Sequence, residues 1–332
     1  MTSGGGERES RLYKWVAGVV VPILVAAIAT GAWQIWFRDG SKSGQPAPGP
    51  STPGPLTAVD AAGAVHAVAF SHDGSRLATG GGNAASLWNR ATGERIFDLV
   101  GDALVEAVAF SPDGRFLATN LGDLWDVNTG DRVRELACAG WDVAFAPDGK
   151  LVAAGGGPKG TVGLCDVATG ERIRELALTS TSGVGLAFSP DGTMLATNDY
   201  KTVQLWNPAT GEQIRTIASA GSYGVAFGKD GKLAISSGEL VRLWNAATGE
   251  QIHTFTGHTQ YVTDVALSPN GHLLATASRD HTVQLWNAST GAHIYTYNGH
   301  SNTVWAVTFP DDKSLASASE DHTVRLWDVT SF

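Results

Sequence analysis

The strongest constraint on this fold is a unit of about 40 residues that recurs seven times between residues 56 and 332. One marker is a turn: SHDG at 71–74, SPDG at 111–114, APDG at 146–149, SPDG at 189–192, GKDG at 228–231, SPNG at 268–271 and FPDD at 309–312. Proline presets the first turn dihedral and glycine accepts a positive φ, so each reads as a hairpin turn. Alternating apolar segments flank the turns, such as Val65 to Phe70 before the first and Phe116 to Thr119 after the second. Period-two alternation beside turn residues predicts strands.

A second marker is a strand ending in tryptophan, at Trp88, Trp125, Trp206, Trp244, Trp286 and Trp327, with Cys165 in the equivalent place of the third copy. The third is ATGE or a variant after that strand, which turns the chain into a fourth strand such as Arg172 to Ala177. Four strands per 40 residues, seven times over, predict an all-β, seven-bladed β-propeller of four-stranded antiparallel blades. The last copy stops after its third strand, at Phe332. Alignment of Val65 with Val262 puts the segment around Leu56, Thr57, Ala58 and Val59 in the missing place, so an N-terminal strand is expected to close the ring. Closure leaves no unpaired sheet edge at the seam.

The residues resemble the WD-repeat family: Gly257-His258, Gly299-His300, repeated LWN, and LWD at Leu326 to Asp328. The resemblance covers 56–332, and its alanine-, glycine-, valine- and arginine-rich bias is similar to bacterial tandem WD-repeat proteins. It implies a structural His–Ser/Thr–Asp–Trp network in two blades, His258, Thr276, Asp280 and Trp286 in one, and His300, Ser317, Asp321 and Trp327 in the other. A Ser–His–Asp triad uses the same residue types, but recurrence at the repeat period favours strand-tying over catalysis. The other five blades depart from the pattern: blade three offers Ala153 and Cys165, and blades four and five lack the histidine and shorten the turn.

The resemblance also implies a face where blade-joining loops and second-to-third-strand turns meet and where partners dock. The inner-strand position pointing to that entrance reads His66, Glu106, Trp141, Val184, Tyr223, Thr263 and Trp305 around the ring. Tyr261, Arg279 and Glu320 are close in sequence. Exposed Trp and Tyr are typical interface anchors, so the expected partner is a protein or peptide. The rival use of these aromatics is packing between blades.

Residues 15–37 form an uncharged apolar segment with Trp15 at one end and Trp33, Trp36 and Phe37 at the other. About 20 apolar residues span a bilayer, and aromatics favour its interfaces. The expected organisation is a tail at 1–14, a transmembrane helix at 15–37, a Pro/Gly/Ser-rich linker at 38–55 and the propeller at 56–332. Three basic residues (Arg8, Arg11, Lys14) precede the span and two (Arg38, Lys42) follow it. This favours the N-terminus inside and the propeller outside a plasma membrane. A cleaved signal peptide ending near Thr30-Gly31-Ala32 is the rival.

The net charge is −9, with residues 1–55 at +2 and the remainder at −11. That argues against a nucleic-acid partner. Two cysteines make neither a disulfide framework nor a zinc site. No phosphate-binding loop, nucleophile elbow or HExxH motif occurs, and no catalytic, cofactor or metal residues are assigned. His281 and His322 share one turn position and read as structural or solvent-facing. The expected function is a membrane-tethered, non-catalytic interaction scaffold. The alternative is an enzymatic or ligand-binding propeller of the lactonase or quinoprotein kind, for which His66 and Glu106 are too few converging groups.

Overall fold

A computed structural model describes residues 57–58, 63–156, 160–180, 185–218 and 221–332. They form seven four-stranded antiparallel sheets. Blades one to six cover 67–100, 108–135, 142–177, 186–218, 225–256 and 262–297. Blade seven combines Val304–Asp311, Ser314–Ser319 and Val324–Asp328 with Thr57–Ala58 as its outer strand, Thr57 opposite Arg325 and Ala58 opposite Val324. The inner strands of successive blades lie against one another, and that of blade seven lies against that of blade one, so the ring closes. The apolar span at 15–37 lies outside the described residues. Among the described residues, no helix is long and apolar enough to cross a membrane.

Local chemistry sets each hairpin. In the first turn the Asp73 carboxylate accepts from the Ser71 hydroxyl at 2.6 Å and the Ser75 N–H at 3.0 Å, and Gly74 takes φ +67°. The Ser71 bond, then those from Ser75, hold Asp73 down at about 2. The seventh turn differs from expectation. FPDD has no glycine for the left-handed position, and the inner strand runs on to Asp311, opposite Ser314, leaving Asp312-Lys313 as the loop. After the tryptophan strand the chain turns on an Asn or Asp carboxyl or amide oxygen; Asn207 Oδ1 accepts from the Ala209 and Thr210 N–H groups at 2.9 and 3.2 Å.

The core is seven apolar wedges, one per blade interface. The wedge at the seam joins Val65, Leu77 and Trp88 of blade one to Ala306, Ala316 and Val324 of blade seven. Leu87, Leu117, Leu164, Leu205, Leu243, Leu285 and Leu315 are fully buried. Truncating such a leucine to alanine costs about 2–5 kcal/mol.

Inner strands approach closely near the channel. A Cβ added at Gly224 would fall 2.7 Å from the Asp264 Cα. The residue following the expected docking position is accordingly alanine or glycine in five blades (Ala67, Ala107, Gly185, Gly224, Ala306) and aspartate in two, Asp142 and Asp264. Each aspartate bridges blades: Asp142 accepts from the Leu186 N–H at 2.7 Å and Asp264 from the Val307 N–H at 2.9 Å. Both keep some exposed surface, yet their carboxyls sit deep in the ring. Burial pushes Asp142 up to about 6 and Asp264 up to about 7, outweighing the backbone donors.

Candidate functional site

In blade six the His258 imidazole joins Asp280 through Nδ1 at 2.7 Å and the Thr276 hydroxyl through Nε2 at 2.7 Å, and the Trp286 indole donates to the same hydroxyl at 3.0 Å. Blade seven repeats this with His300, Asp321, Ser317 and Trp327 at 2.9, 2.7 and 2.9 Å. These imidazoles and hydroxyls are buried. Burial opposes ionisation of Asp280, but the His258 hydrogen bond and charge, with Thr282 and Thr259 donors, hold it well below the carboxylate range. Asp321 is likewise held at about 2 by Thr323, Ser301 and His300 against its burial. Burial also lowers His300. A low aspartate and a fully occupied imidazole suit a strut joining strands; they leave no free base beside a free hydroxyl.

The departing blades solve the same problem differently. Blades one and four retain the last link: Trp88 donates to Thr79 at 3.0 Å and Trp206 to Thr197 at 2.9 Å. In blade four Asp199 receives the Thr179 and Thr202 hydroxyls in place of a histidine. In blades two and five the buried indole nitrogens of Trp125 and Trp244 have no partner. The blade-two hydroxyl of Thr119 is buried and equally unpaired. In blade five, the strand register puts apolar Ile235 two residues beyond Leu233, the partner of Trp244. In blade three Cys165 occupies the tryptophan position opposite Val152, and Ala154, one residue beyond the expected Ala153, occupies the hydroxyl position. Cys165 is disulfide-bonded to Cys138 in the loop entering the blade, with Cα atoms 6.0 Å apart. The covalent bond joins the entry loop to the third strand, the connection made by histidine and tryptophan in blades six and seven.

The four windows that match the family described as WD domain, G-beta repeat are 55–89, 170–207, 249–287 and 291–328. Each ends just beyond one of the four tryptophans that, among the described residues, donate an indole N–H to a Ser or Thr hydroxyl. These are WD40 repeats. Each repeat begins on the outer strand of one blade and ends on the third strand of the next, so the WD40 unit itself interlocks neighbouring blades. No curated protein matches the chain.

On the expected docking face of the WD40 propeller, six sequence-nominated residues come together. Arg279, in the second-to-third-strand turn of blade six, holds its guanidinium carbon 5.3 Å from the Tyr223 ring centroid, 5.8 Å from Tyr261 and 5.6 Å from Trp305. Trp305 donates its indole N–H to Glu320 at 2.6 Å and stacks on His66, centroids 5.7 Å apart and planes 11° apart. Tyr223 meets Tyr261 edge-on at 6.3 Å. Tyr200, not picked out by sequence, meets Tyr223 at 5.6 Å from a left-handed backbone position with φ 71°. Burial, then Tyr223 and Tyr261, pushes its phenol up. Tyr261 is 41% exposed, and His66, Tyr223, Arg279, Trp305 and Glu320 are half-buried.

Three nominated residues stand apart from this cluster. Thr263 is buried and donates to the Val304 carbonyl at 2.5 Å, a structural tie between blades six and seven. Glu106 is raised by burial against the charge of His66. Trp141 is half-buried and makes no ring contact with the cluster. Val184 lies outside the described residues. His281 and His322 are exposed at left-handed turn positions. Among the described residues, no cluster of three or more His, Cys, Asp or Glu side chains could hold a metal ion.

Backbone anchoring makes the face rigid. The Ser236 hydroxyl accepts from the Tyr223 and Gly224 N–H groups, both at 2.9 Å. Asn198 donates to the Tyr223 carbonyl at 3.0 Å. Asn120 performs the same task in blade two, accepting from Glu106 at 3.0 Å and donating to Gly140 at 3.2 Å.

Proposed function

We propose that the protein is a non-catalytic interaction platform that holds a WD40 propeller at a membrane through residues 15–37. The observation that carries this reading is the aromatic cluster around Arg279. Four blades contribute Tyr200, Tyr223, Tyr261 and Trp305 to one half-exposed patch on anchored backbone. Aromatics and arginine are the side chains that dominate interface energetics; aromatics bury large areas with few rotors to freeze, and arginine adds a planar fork of donors.

The outward orientation of the propeller rests on two supports. Three basic residues precede the apolar span and two follow it. The Cys138–Cys165 bond is buried, and such structural disulfides form in oxidising compartments. Outside a plasma membrane, partners come from the envelope or its surroundings.

A photo-crosslinking residue placed at Tyr261 in the full-length protein tests the platform, with Ile173, exposed on the outer strand of blade three, as the control. Discrete adducts at position 261 and none at 173 are expected. Equal crosslinking at both, or none, refutes the reading. Protease added to intact cells tests the orientation: digestion of the propeller before lysis is expected, and protection until lysis reverses it.

A further inference from the structure

The geometry points to a carboxylate subsite at Arg279, through which the docking face takes an acidic peptide. This deepens the platform reading and depends on it. A guanidinium presents five N–H donors and no acceptor, and meets carboxylates through a planar fork. Here Arg279 sits among three ring faces, which stabilise its charge from the side but accept none of its hydrogen bonds strongly. The nearest polar contact, Nη2 to the Tyr223 hydroxyl, is 3.5 Å, and the Nε is buried with no partner. Among the described residues, no ion pair reaches Arg279. Glu320, the acid of this face, accepts from the Trp305 indole.

Arg174, Arg215 and Arg325 also bury an unpartnered Nε, but most arginines of the described residues have an acceptor. Arg90 pairs with Asp311, Arg132 with Asp123 and Arg172 with Glu175. Arg134, Arg174 and Arg215 reach backbone carbonyls of the following blade. Among these, Arg279 alone is framed by three aromatic rings. A half-buried cation without an acceptor is expensive unless one arrives. One fork matches one carboxylate, whereas phosphate recognition generally draws on a cluster of cations. Tyr261 and Trp305 then offer ring surface to the residues beside the acid. Lys201, exposed and next to Tyr200, adds positive charge on the same rim.

The test uses full-length protein and pools of eight-residue peptides, randomised except for a central Glu, Gln, Lys or phosphoserine, with acetylated and amidated ends. One further pool has central Gln and a free C-terminal carboxylate. Binding is read by fluorescence anisotropy. The Glu pool should bind about tenfold more tightly than the Gln pool, the factor a charge-assisted bond to a carboxylate supplies. Arg279→Met should bring that ratio to about one, and Arg279→Lys should leave it intermediate. Preference for the free C-terminus would identify a chain end as the source of the carboxylate. A phosphoserine or Lys pool that binds best overturns the carboxylate assignment. So do equal Glu and Gln pools; if Tyr261→Ala with Trp305→Ala then removes both, the platform stands without the carboxylate subsite. If no pool binds native protein, both readings fall.

Discussion

Reduction of the Cys138–Cys165 bond should weaken the propeller by an amount set by the loop it closes. The two residues are separated by 27 positions, and the chain-entropy relation gives about 3.5 kcal/mol for such a loop. For a chain of this size 1 kcal/mol moves the melting point by about 2 °C, so a drop of about 7 °C is expected. Both sulfurs are buried, so a reductant will act slowly on native protein. The comparison is therefore between protein refolded oxidised and protein refolded with reductant, each melted in a calorimeter. The double change Cys138→Ala with Cys165→Ala should melt near the reduced protein and ignore the reductant. Hydrogen exchange should localise the loss to 142–177. Oxidised and reduced wild type melting within about 1 °C would refute the view that the bond stands in for the missing histidine–tryptophan strut. Two free thiols in oxidised, unfolded protein would refute the bond itself.

The tetrads should differ in a graded manner. Thr276 serves both His258 and Trp286, whereas Thr79 serves Trp88 alone; Thr276→Val should cost about 2–3 kcal/mol and Thr79→Val about 1, by denaturant midpoint. Trp286→Phe should remove one of the two side-chain partners of the Thr276 hydroxyl, while Trp244→Phe, which removes an indole already without a partner, should be milder; equal costs would contradict the strut argument. The raised carboxyls of Asp142 and Asp264 bind protons in the folded state that the unfolded chain has released. Their contribution is therefore fully present below about pH 4 and declines as pH rises to about 6–7. Between pH 4.5 and 7.5, wild type should accordingly lose stability relative to Asp142→Asn with Asp264→Asn. The lowered Asp280 and Asp321 act only below that window, their stabilisation lost as pH falls from about 4. An unchanged difference between wild type and variant would show that the bridging carboxyls do not carry the proton.

Period, turn chemistry and tryptophan position made the propeller readable, because each blade must solve the same local problem with the same residue types. The closing strand was readable from one alignment, since an open ring has one unpaired edge. Three things were hidden. Cys138 and Cys165 look unrelated in sequence, because only the strand register brings the entry loop of blade three onto the tryptophan position. The hydroxyl position of that blade is Ala154 and not Ala153, a one-residue shift that apolar alanines on both sides conceal. At the docking face, alignment nominated seven ring positions as equals, whereas side-chain reach decides which meet. Arg279 is long enough to gather Tyr223, Tyr261 and Trp305, while Trp141 is across the ring from them. Tyr200 was missed because a shortened turn places a tyrosine where blades six and seven have histidines in the same left-handed conformation. The signal was the one-residue deficit between Thr197 and Trp206.

The pairing of Thr57–Ala58 with Val324–Arg325 also sets a timetable. Ribosomes add roughly 5–20 residues per second, so the partner of Ala58 is synthesised on the order of 15–50 seconds after it. Throughout that interval six blades can stack, but the first of them offers a bare flank and the latch strand has nothing to grip. Exposed strand edges invite pairing with other chains. The vulnerable species for this propeller is thus the nascent, crescent-shaped chain, and factors that shield it should matter most in the seconds before its final strand emerges.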